Sequence, residues 1–233
     1  MNSKKFKTLR FAFLQSVPVM FGYLFLGAAF GILLEKAGYN YIWAFFTSLT
    51  VYAGSLQFVI VTFLSAGAAL TTVALMTLFI NSRHIFYGLS FIEEFKKTGK
   101  VYPYMIFSLT DETYSVLCSL KVPDGLNKNT VMFLIALLNQ SYWIIGSVLG
   151  SLAGQMIPFD VTGIDFSMTA LFVVIFLEQW KTSKTHLPAL IGFACSILFL
   201  FLLGPDKFLL PSLIAAVLFL SVCKPFIKIQ EAE

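Results

Sequence analysis

Charged residues are scarce in this sequence of 233 residues. Only 12% of the residues are charged and 58% are hydrophobic, and the mean hydropathy is +0.84. Between Phe11 and Ile92 the only formal charges are Glu35, Lys36 and Arg83. A water-soluble domain is usually about 45–50% apolar and about one quarter charged. The scarcity of charge therefore excludes a soluble fold and predicts an integral membrane protein whose apolar surface faces lipid.

Cysteines and catalytic motifs are also few. Cys118, Cys195 and Cys223 are far apart in apolar surroundings, without the spacing of a metal site or a disulfide framework. The sequence has no phosphate-binding loop, no H-E-x-x-H and no G-x-S-x-G. We therefore predict that the protein is not an enzyme and uses no metal or other cofactor. An ATP-driven pump would need a separate motor subunit.

Long apolar segments follow one another along the whole chain. A bilayer core about 30 Å thick needs about 20 apolar residues per helix, and backbone groups in lipid must be satisfied within the segment. We predict an all-α polytopic membrane helix bundle, a single transmembrane domain over residues 1–233 with about eight transmembrane segments. They lie near residues 13–34, 41–64, 68–92, 102–120, 130–154, 163–180, 187–203 and 208–222.

The positive charges predict the orientation of these segments. With eight crossings and a cytoplasmic N-terminus, ten Lys and Arg residues lie inside and five outside. The loop at 93–100 is the exception, because it would place Lys96, Lys97 and Lys100 outside. The predicted location is the bacterial cytoplasmic (inner) membrane, with both termini in the cytoplasm. The net charge of +4 is scattered and does not indicate nucleic-acid binding.

Glycine spacing suggests an internal repeat. Tyr23, Gly27 and Gly31 recur at a constant offset of 119 as Tyr142, Gly146 and Gly150. The repeat halves would be residues 1–120 and 121–233, with the fifth segment in the orientation of the first. Such repeats are common in secondary transporters. The same spacing lets helices approach closely, either within this chain or against a partner subunit.

Polar clusters interrupt the apolar segments, and such intramembrane groups are default candidates for function. The first cluster is YAGSLQ at residues 52–57. A helix broken at Gly54 and Ser55 would direct backbone N–H groups at an anion such as a carboxylate. The alternative is a continuous helix whose Ser55 and Gln57 bond to a neighbouring helix. We predict a substrate-binding role for Tyr52, Gly54, Ser55 and Gln57.

Two further clusters carry ionisable groups. Asn81 and His84 share one helical face, and Asn81 is a further candidate for substrate binding. Arg83 is either buried with a partner or reaches the membrane interface. Asp111 and Glu112 are adjacent carboxylates that could neutralise Arg83, carry a proton or bind a substrate ammonium group.

The last cluster, Glu178 with Gln179, lies near the end of the sixth segment. Its position favours an interfacial anchor, with a functional site as the alternative. Glu178 is grouped with Arg83, His84, Asp111 and Glu112 as candidates for ion coupling or for buried ion pairs.

These clusters resemble the AzlC-type branched-chain amino acid permease (azaleucine resistance) family. The match is carried by YAGSLQF at 52–58, NSRHIFYGLS at 81–90, LTDETY at 109–114, FSMTALFVVIFLEQW at 166–180 and PVMFGYLFLGAAFG at 18–31. The resemblance implies the large subunit of a secondary transporter that exports leucine, isoleucine, valine or, in some members, methionine. It also implies a small AzlD-type membrane subunit as partner.

Two functions remain open at this point. The first is a proton-coupled amino acid exporter embedded in the lipid bilayer. The second is a non-transporting membrane subunit or sensor in which the polar groups only join helices. A helix break at Gly54 and Ser55 favours the exporter, because structural bridging does not need one.

Overall fold

The computed structural model of the chain describes residues 2–156, 166–183, 185–204 and 208–232. These ranges contain ten α-helices, a short 3-10 turn at Gly99–Val101 and no β-strand, which confirms the all-α prediction. The helices are α1 (Asn2–Lys36), α2 (Tyr41–Thr50), α3 (Gly54–Ala66), α4 (Leu70–Lys96), α5 (Tyr102–Phe107), α6 (Asp111–Ser119), α7 (Lys128–Met156), α8 (Phe166–Thr182), α9 (Leu187–Leu203) and α10 (Leu209–Ala232).

Two segments of the described chain are long and apolar enough to cross a bilayer by length and composition. They are Lys4–Lys36 in α1 and Lys128–Met156 in α7. Shorter apolar stretches occur at Gly54–Ala66, Leu70–Ser82, Leu187–Leu203 and Pro211–Val222. The prediction of eight crossings is therefore not confirmed.

The backbone forms two compact units. Residues 1–68 and 80–168 form the first unit, and residues 69–79 and 169–233 form the second. In the first, α1 and α7 pack along their length and α2 packs against α7; in the second, α9 packs against α10. The single domain and the repeat halves stay predictions.

Glycines let the α1 and α7 backbones touch. A Cβ atom added at Gly31 would overlap the carbonyl oxygen of Ser147, and one added at Gly150 would overlap Ala28. Close backbone approach of this kind needs residues without a side chain. The interpretation of the glycine spacing as packing within the chain is therefore confirmed.

The two helices run parallel. Near the middle of α1, Leu24 lies against Gly146, and near its end Glu35 lies against Gly154, so the contacts advance along both helices together. The Glu35 carboxylate also accepts hydrogen bonds from Ser151 Oγ at 2.8 Å and Gln155 Nε2 at 3.0 Å. The first unit thus has an entry side, where α1 and α7 begin, and a far side, where both end.

The second apolar segment turns back on itself. Helix α2 ends at Thr50 and α3 begins at Gly54, and Tyr52 between them has a positive φ of 41°. Gln57 Nε2 donates to Ser48 Oγ at 3.2 Å. A continuous helix would hold residues nine apart about 13 Å from each other. The chain therefore reverses at residues 51–53.

The direction of α3 follows from its contacts with α1. Tyr52, at the turn, lies beside Tyr23, whereas Phe58 packs against Phe30, nearer the far side. Because α2 starts on the far side, close after Lys36, α3 returns to the side from which α2 came. Segment 41–64 is a helical hairpin, and its prediction as one crossing is wrong.

The fourth segment is a second hairpin, which opens to the entry side. Helix α5 ends at Phe107 and α6 begins at Asp111. Early in α6, Thr113 accepts a hydrogen bond from Asn139, eleven residues into α7. One turn later, Leu117 packs in a cluster with Val131, near the start of α7. Helix α6 therefore returns to the entry side, and segment 102–120 does not cross either.

Ion pairs join the two loops on the entry side. Glu94 lies 3.3 Å from the ammonium of Lys97 and 2.9 Å from that of Lys128, at the first residue of α7. These cations lower the pKa of Glu94, with Lys128 contributing most. Asn129 also donates to the Lys97 carbonyl at 2.8 Å. The loop at 93–100 thus lies on the same side as Lys128, and the expectation of opposite sides is wrong.

Candidate functional site at the hairpin tips

The tips of the two hairpins, residues 51–53 and 108–110, meet beside the middle of α1. The ring of Tyr52 lies 6.5 Å from that of Tyr23 and 6.3 Å from that of Phe107. The Tyr23 hydroxyl lies 2.6 Å from Thr110 Oγ1 and donates to Glu112 Oε2 at 2.7 Å. Tyr23 therefore contacts both tips.

A polar network continues from this point to α7. Thr110 Oγ1 donates to Thr113 Oγ1 at 3.0 Å and accepts from the Thr113 backbone N–H at 3.3 Å, which caps α6. Thr113 Oγ1 also accepts from Asn139 Nδ2 at 3.0 Å. We call Tyr23, Thr110, Glu112, Thr113 and Asn139 the tip network. Its Thr and Asn members are fully or almost fully buried, so these hydrogen bonds are sheltered from water.

Two side-chain amides hold the first hairpin against the rest of the unit. Gln57 Oε1 accepts from Trp143 Nε1 at 2.8 Å, while its amide nitrogen reaches Ser48. Gln140 Nε2 donates at 3.2 Å to the carbonyl of Leu49, which the end of α2 leaves without a helical partner. These bonds satisfy backbone and side-chain groups that the chain reversal would otherwise leave unpaired.

The first turn of α3 is suited to an anion. Its N-cap residue, Ala53, has no side chain that could bond the first backbone N–H groups. Gly54 and Ser55 follow, and a Cβ added at Gly54 would lie 3.1 Å from the Trp143 ring. A helix N-terminus carries a partial positive charge. Backbone donors and a positive end therefore lie at the tip of the hairpin.

The predicted break in cluster 52–57 is confirmed, although it precedes Gly54. Tyr52, Ser55 and Gln57 are buried. Asn81 and His84 lie on α4, where His84 Nδ1 is 3.3 Å from the Asn81 carbonyl oxygen. The hydrogen bonds of the described residues do not join Asn81 to Tyr52 or to Gln57, although Asn81 Oδ1 is buried without a partner among them.

The charged candidates are divided between the described and the undescribed parts. Asp111 and Glu112 form the first turn of α6, both half-buried. The side chains of Arg83 and Glu178 lie outside the described residues, so the Arg83 ion pair stays a prediction. Within the described part, no three His, Cys, Asp or Glu side chains are grouped to hold a metal ion.

Sequence reasoning missed several members of the site. The sequence marks Tyr23 only as part of the repeat, and Thr110 only as part of the LTDETY motif at 109–114. The adjacent amides Asn139 and Gln140, in the middle of an apolar segment, were the overlooked signal, because such groups need a polar partner in lipid. Trp143 gave no signal, since an isolated Trp in an apolar run is ordinary.

The fold defines a polytopic helical membrane protein with a buried polar site between two hairpin tips. The model of the AzlC family, described as AzlC protein, matches residues 18–157. The chain belongs to the AzlC family, which confirms the resemblance seen in the sequence motifs.

Three relatives cover most of the chain. The branched-chain amino acid transport protein AzlC of Bacillus subtilis is 38% identical over 96% of this chain and 88% of its own. An uncharacterized membrane protein of Helicobacter pylori strain J99 is 44% identical over 91% and 93%. The inner membrane protein YgaZ of Escherichia coli is 30% identical over 76% of each chain. No solved structure matches. These relatives confirm the membrane location and support a role in membrane transport.

Proposed function

We propose that the protein is the large subunit of an exporter of branched-chain amino acids, namely leucine, isoleucine, valine and also methionine. The printed name of the Bacillus subtilis relative supports the substrate class. The observation that carries the proposal is the meeting of two hairpin tips at a buried polar network. Discontinuous helices near the bilayer midplane are how many secondary transporters hold a substrate.

The substrate carboxylate binds at the N-terminus of α3 in this proposal. At the start of α3, beside Gly54 and Ser55, a carboxylate gains from backbone N–H donors and from the helix dipole. Tyr52 and Gln57 line this end, and Asn81 is a further contact on α4. Apolar rings around the tips take the aliphatic side chain, at about 25 cal/mol per Å² buried.

Glu112 is the proposed site of proton coupling. Its carboxylate is half-buried and accepts a hydrogen bond from Tyr23, which contacts both hairpins. Protonation of Glu112 would replace this charge-assisted hydrogen bond by a weaker neutral one and so alter the contact between the tips. Asp111, His84, Arg83 and Glu178 are further candidates for coupling or for ion pairing.

The hairpins also support a revised topology of six crossings, by α1, α4, α7, α8, α9 and α10. Thirteen of the sixteen Lys and Arg residues then lie on the cytoplasmic side, only Lys36 and Lys207 lie outside, and Arg83 lies within a helix. The thirteen are Lys4, Lys5, Lys7, Arg10, Lys96, Lys97, Lys100, Lys121, Lys128, Lys181, Lys184, Lys224 and Lys228. This bias is stronger than the ten to five of the eight-crossing arrangement.

The test of transport is efflux of radiolabelled leucine, valine and methionine. Cells that express the chain together with an AzlD-type subunit should lose preloaded label faster than cells without them. Equal efflux in both would contradict the proposal and would favour the alternative, a non-transporting subunit or sensor in which Gln57 and Gln140 act only as bridges between helices.

A further inference from the structure

Two buried polar atoms beside the hairpin tips make no well-formed hydrogen bond with the described residues. They are the hydroxyl of Tyr52 and the side-chain oxygen of Asn139. Tyr52 is 3% exposed and Asn139 is 0% exposed. Since nearly all buried polar groups in folded proteins are paired, each such atom needs an explanation, and a bound ligand is one.

The two atoms belong to one place. The Asn139 amide nitrogen donates to Thr113 Oγ1 at 3.0 Å, so the oxygen of the same amide group lies close to α6. The Tyr52 hydroxyl approaches the side chains of Thr113 and Tyr23 from the first hairpin, without a well-formed hydrogen bond to either. The two atoms therefore approach the start of α6 from two sides. The Asn139 oxygen comes from α7, and the Tyr52 hydroxyl comes from the tip of the first hairpin.

Their chemistry selects a hydrogen-bond donor. The side-chain oxygen of Asn139 only accepts hydrogen bonds, and a phenol oxygen accepts as readily as it donates. A carboxylate would meet the Asn139 oxygen with like partial charge, whereas an ammonium group offers three donors and no acceptor. The Glu112 carboxylate, bonded to Tyr23 at 2.7 Å, supplies nearby negative charge.

We propose that Asn139 and Tyr52 bind the ammonium group of the transported amino acid. This assignment rests on the proposed function and completes it, since the carboxylate then lies at the start of α3. The zwitterion would lie between the first hairpin and α7, with its carboxylate at the start of α3 and its ammonium group between Tyr52 and Asn139. The substrate would thus join the tip of the first hairpin to α7, beside the second tip.

The experiment compares leucine with 4-methylpentanoate, which is leucine without its amino group. Binding of each to the purified full chain, with its partner subunit if needed, is measured by thermal stabilisation and by competition. The variants are Tyr52→Phe, which removes only the hydroxyl, and Asn139→Leu. The control is Ser141→Ala, on the same helix, where the hydroxyl bonds only to the Leu137 carbonyl of its own helix.

Wild type and the control should bind leucine much more tightly than 4-methylpentanoate. Each site variant should lose roughly tenfold or more in leucine affinity, as expected for a hydrogen bond to a charged group, and should bind 4-methylpentanoate unchanged. Tyr52→Phe should change the thermal stability of the ligand-free protein little, because the hydroxyl makes no well-formed hydrogen bond there. That result would keep the test decisive even if Asn139→Leu fails to fold.

An unchanged preference for leucine in Tyr52→Phe would overturn the assignment and leave the two atoms to a buried water. Absence of leucine binding by wild type would instead count against the proposed function itself, so the two failures are distinguishable.

Discussion

Tyr52 occupies a backbone conformation that side chains rarely adopt. Its φ of 41° lies in the left-handed region, which costs a non-glycine residue about 1–3 kcal/mol. The contacts of its ring with Tyr23 and Phe107 hold it there. Strain at a tip that is proposed to bind substrate is consistent with function, because the packed surroundings must maintain it.

Gly54→Ala should weaken both folding and transport. The added Cβ would lie 3.1 Å from the Trp143 ring, which is fixed by its hydrogen bond to Gln57. Overpacking of this kind costs about 1–3 kcal/mol. Thermal stability and efflux per unit of protein are the measurements.

Gly88→Ala is the matched control for this substitution. Gly88 is also helical, but a Cβ there meets nothing within 4 Å. The Gly88→Ala variant should be as stable as the wild type or slightly more stable, since Ala has a higher helix propensity than Gly. Equal effects of the two substitutions would refute the packing argument for Gly54.

At the scale of elements, the α1–α7 pair has a near-symmetric contact pattern. Gly31 meets Ser147, and Gly150 meets Ala28. At an offset of 119, Gly31 corresponds to Gly150 and Ala28 corresponds to Ser147. The two contacts are therefore equivalent, with the roles of the two helices exchanged. Equivalent contacts in a parallel pair are what a repeat that relates α1 to α7 would produce. The halves 1–120 and 121–233 stay a prediction, because the six-crossing arrangement gives them two and four crossings.

Gly31→Ala should separate α1 from α7. Its Cβ would overlap a backbone carbonyl, which cannot rotate away as a side chain can. We expect a loss of about 1–3 kcal/mol or more and a lower yield of folded protein. Gly192→Ala in α9 meets nothing within 4 Å and should leave yield and melting temperature near wild type.

For the whole molecule, the two hairpins decide which loops face the cytoplasm. In the six-crossing arrangement Gly67 lies outside the cytoplasm and Lys100 lies in the cytoplasm. In the eight-crossing arrangement Gly67 is cytoplasmic and Lys100 lies outside. The entry-side contacts of Lys97 and Lys128 support the first arrangement.

Cysteine labelling of intact cells tests this topology. In a background without Cys118, Cys195 and Cys223, an impermeant maleimide should modify a cysteine at Gly67 and spare one at Lys100 until the cells are opened. If the reagent labelled the Lys100→Cys variant from outside and did not label the Gly67→Cys variant, the eight-crossing arrangement would be favoured again.

A second subunit should be required for transport, as the family resemblance implies. Its docking surface is not the glycine stripe of α1 and α7, because that stripe is already filled by the two helices. We expect leucine efflux from liposomes only when an AzlD-type subunit is reconstituted with the chain. Full efflux by the chain alone would contradict this.

The sequence by itself determined the membrane environment and the all-α class, and it marked the cluster of residues 52–57 near which the second segment breaks. These follow from local properties: low charge over windows of about 20 residues, and Gly54 beside polar groups. The tertiary structure decided the direction of the chain after each break, because a few dihedral angles separate a crossing from a hairpin. It also decided the partners of Tyr23 and Asn139, since Tyr23 bonds a residue 87 positions away and no local pattern encodes that distance.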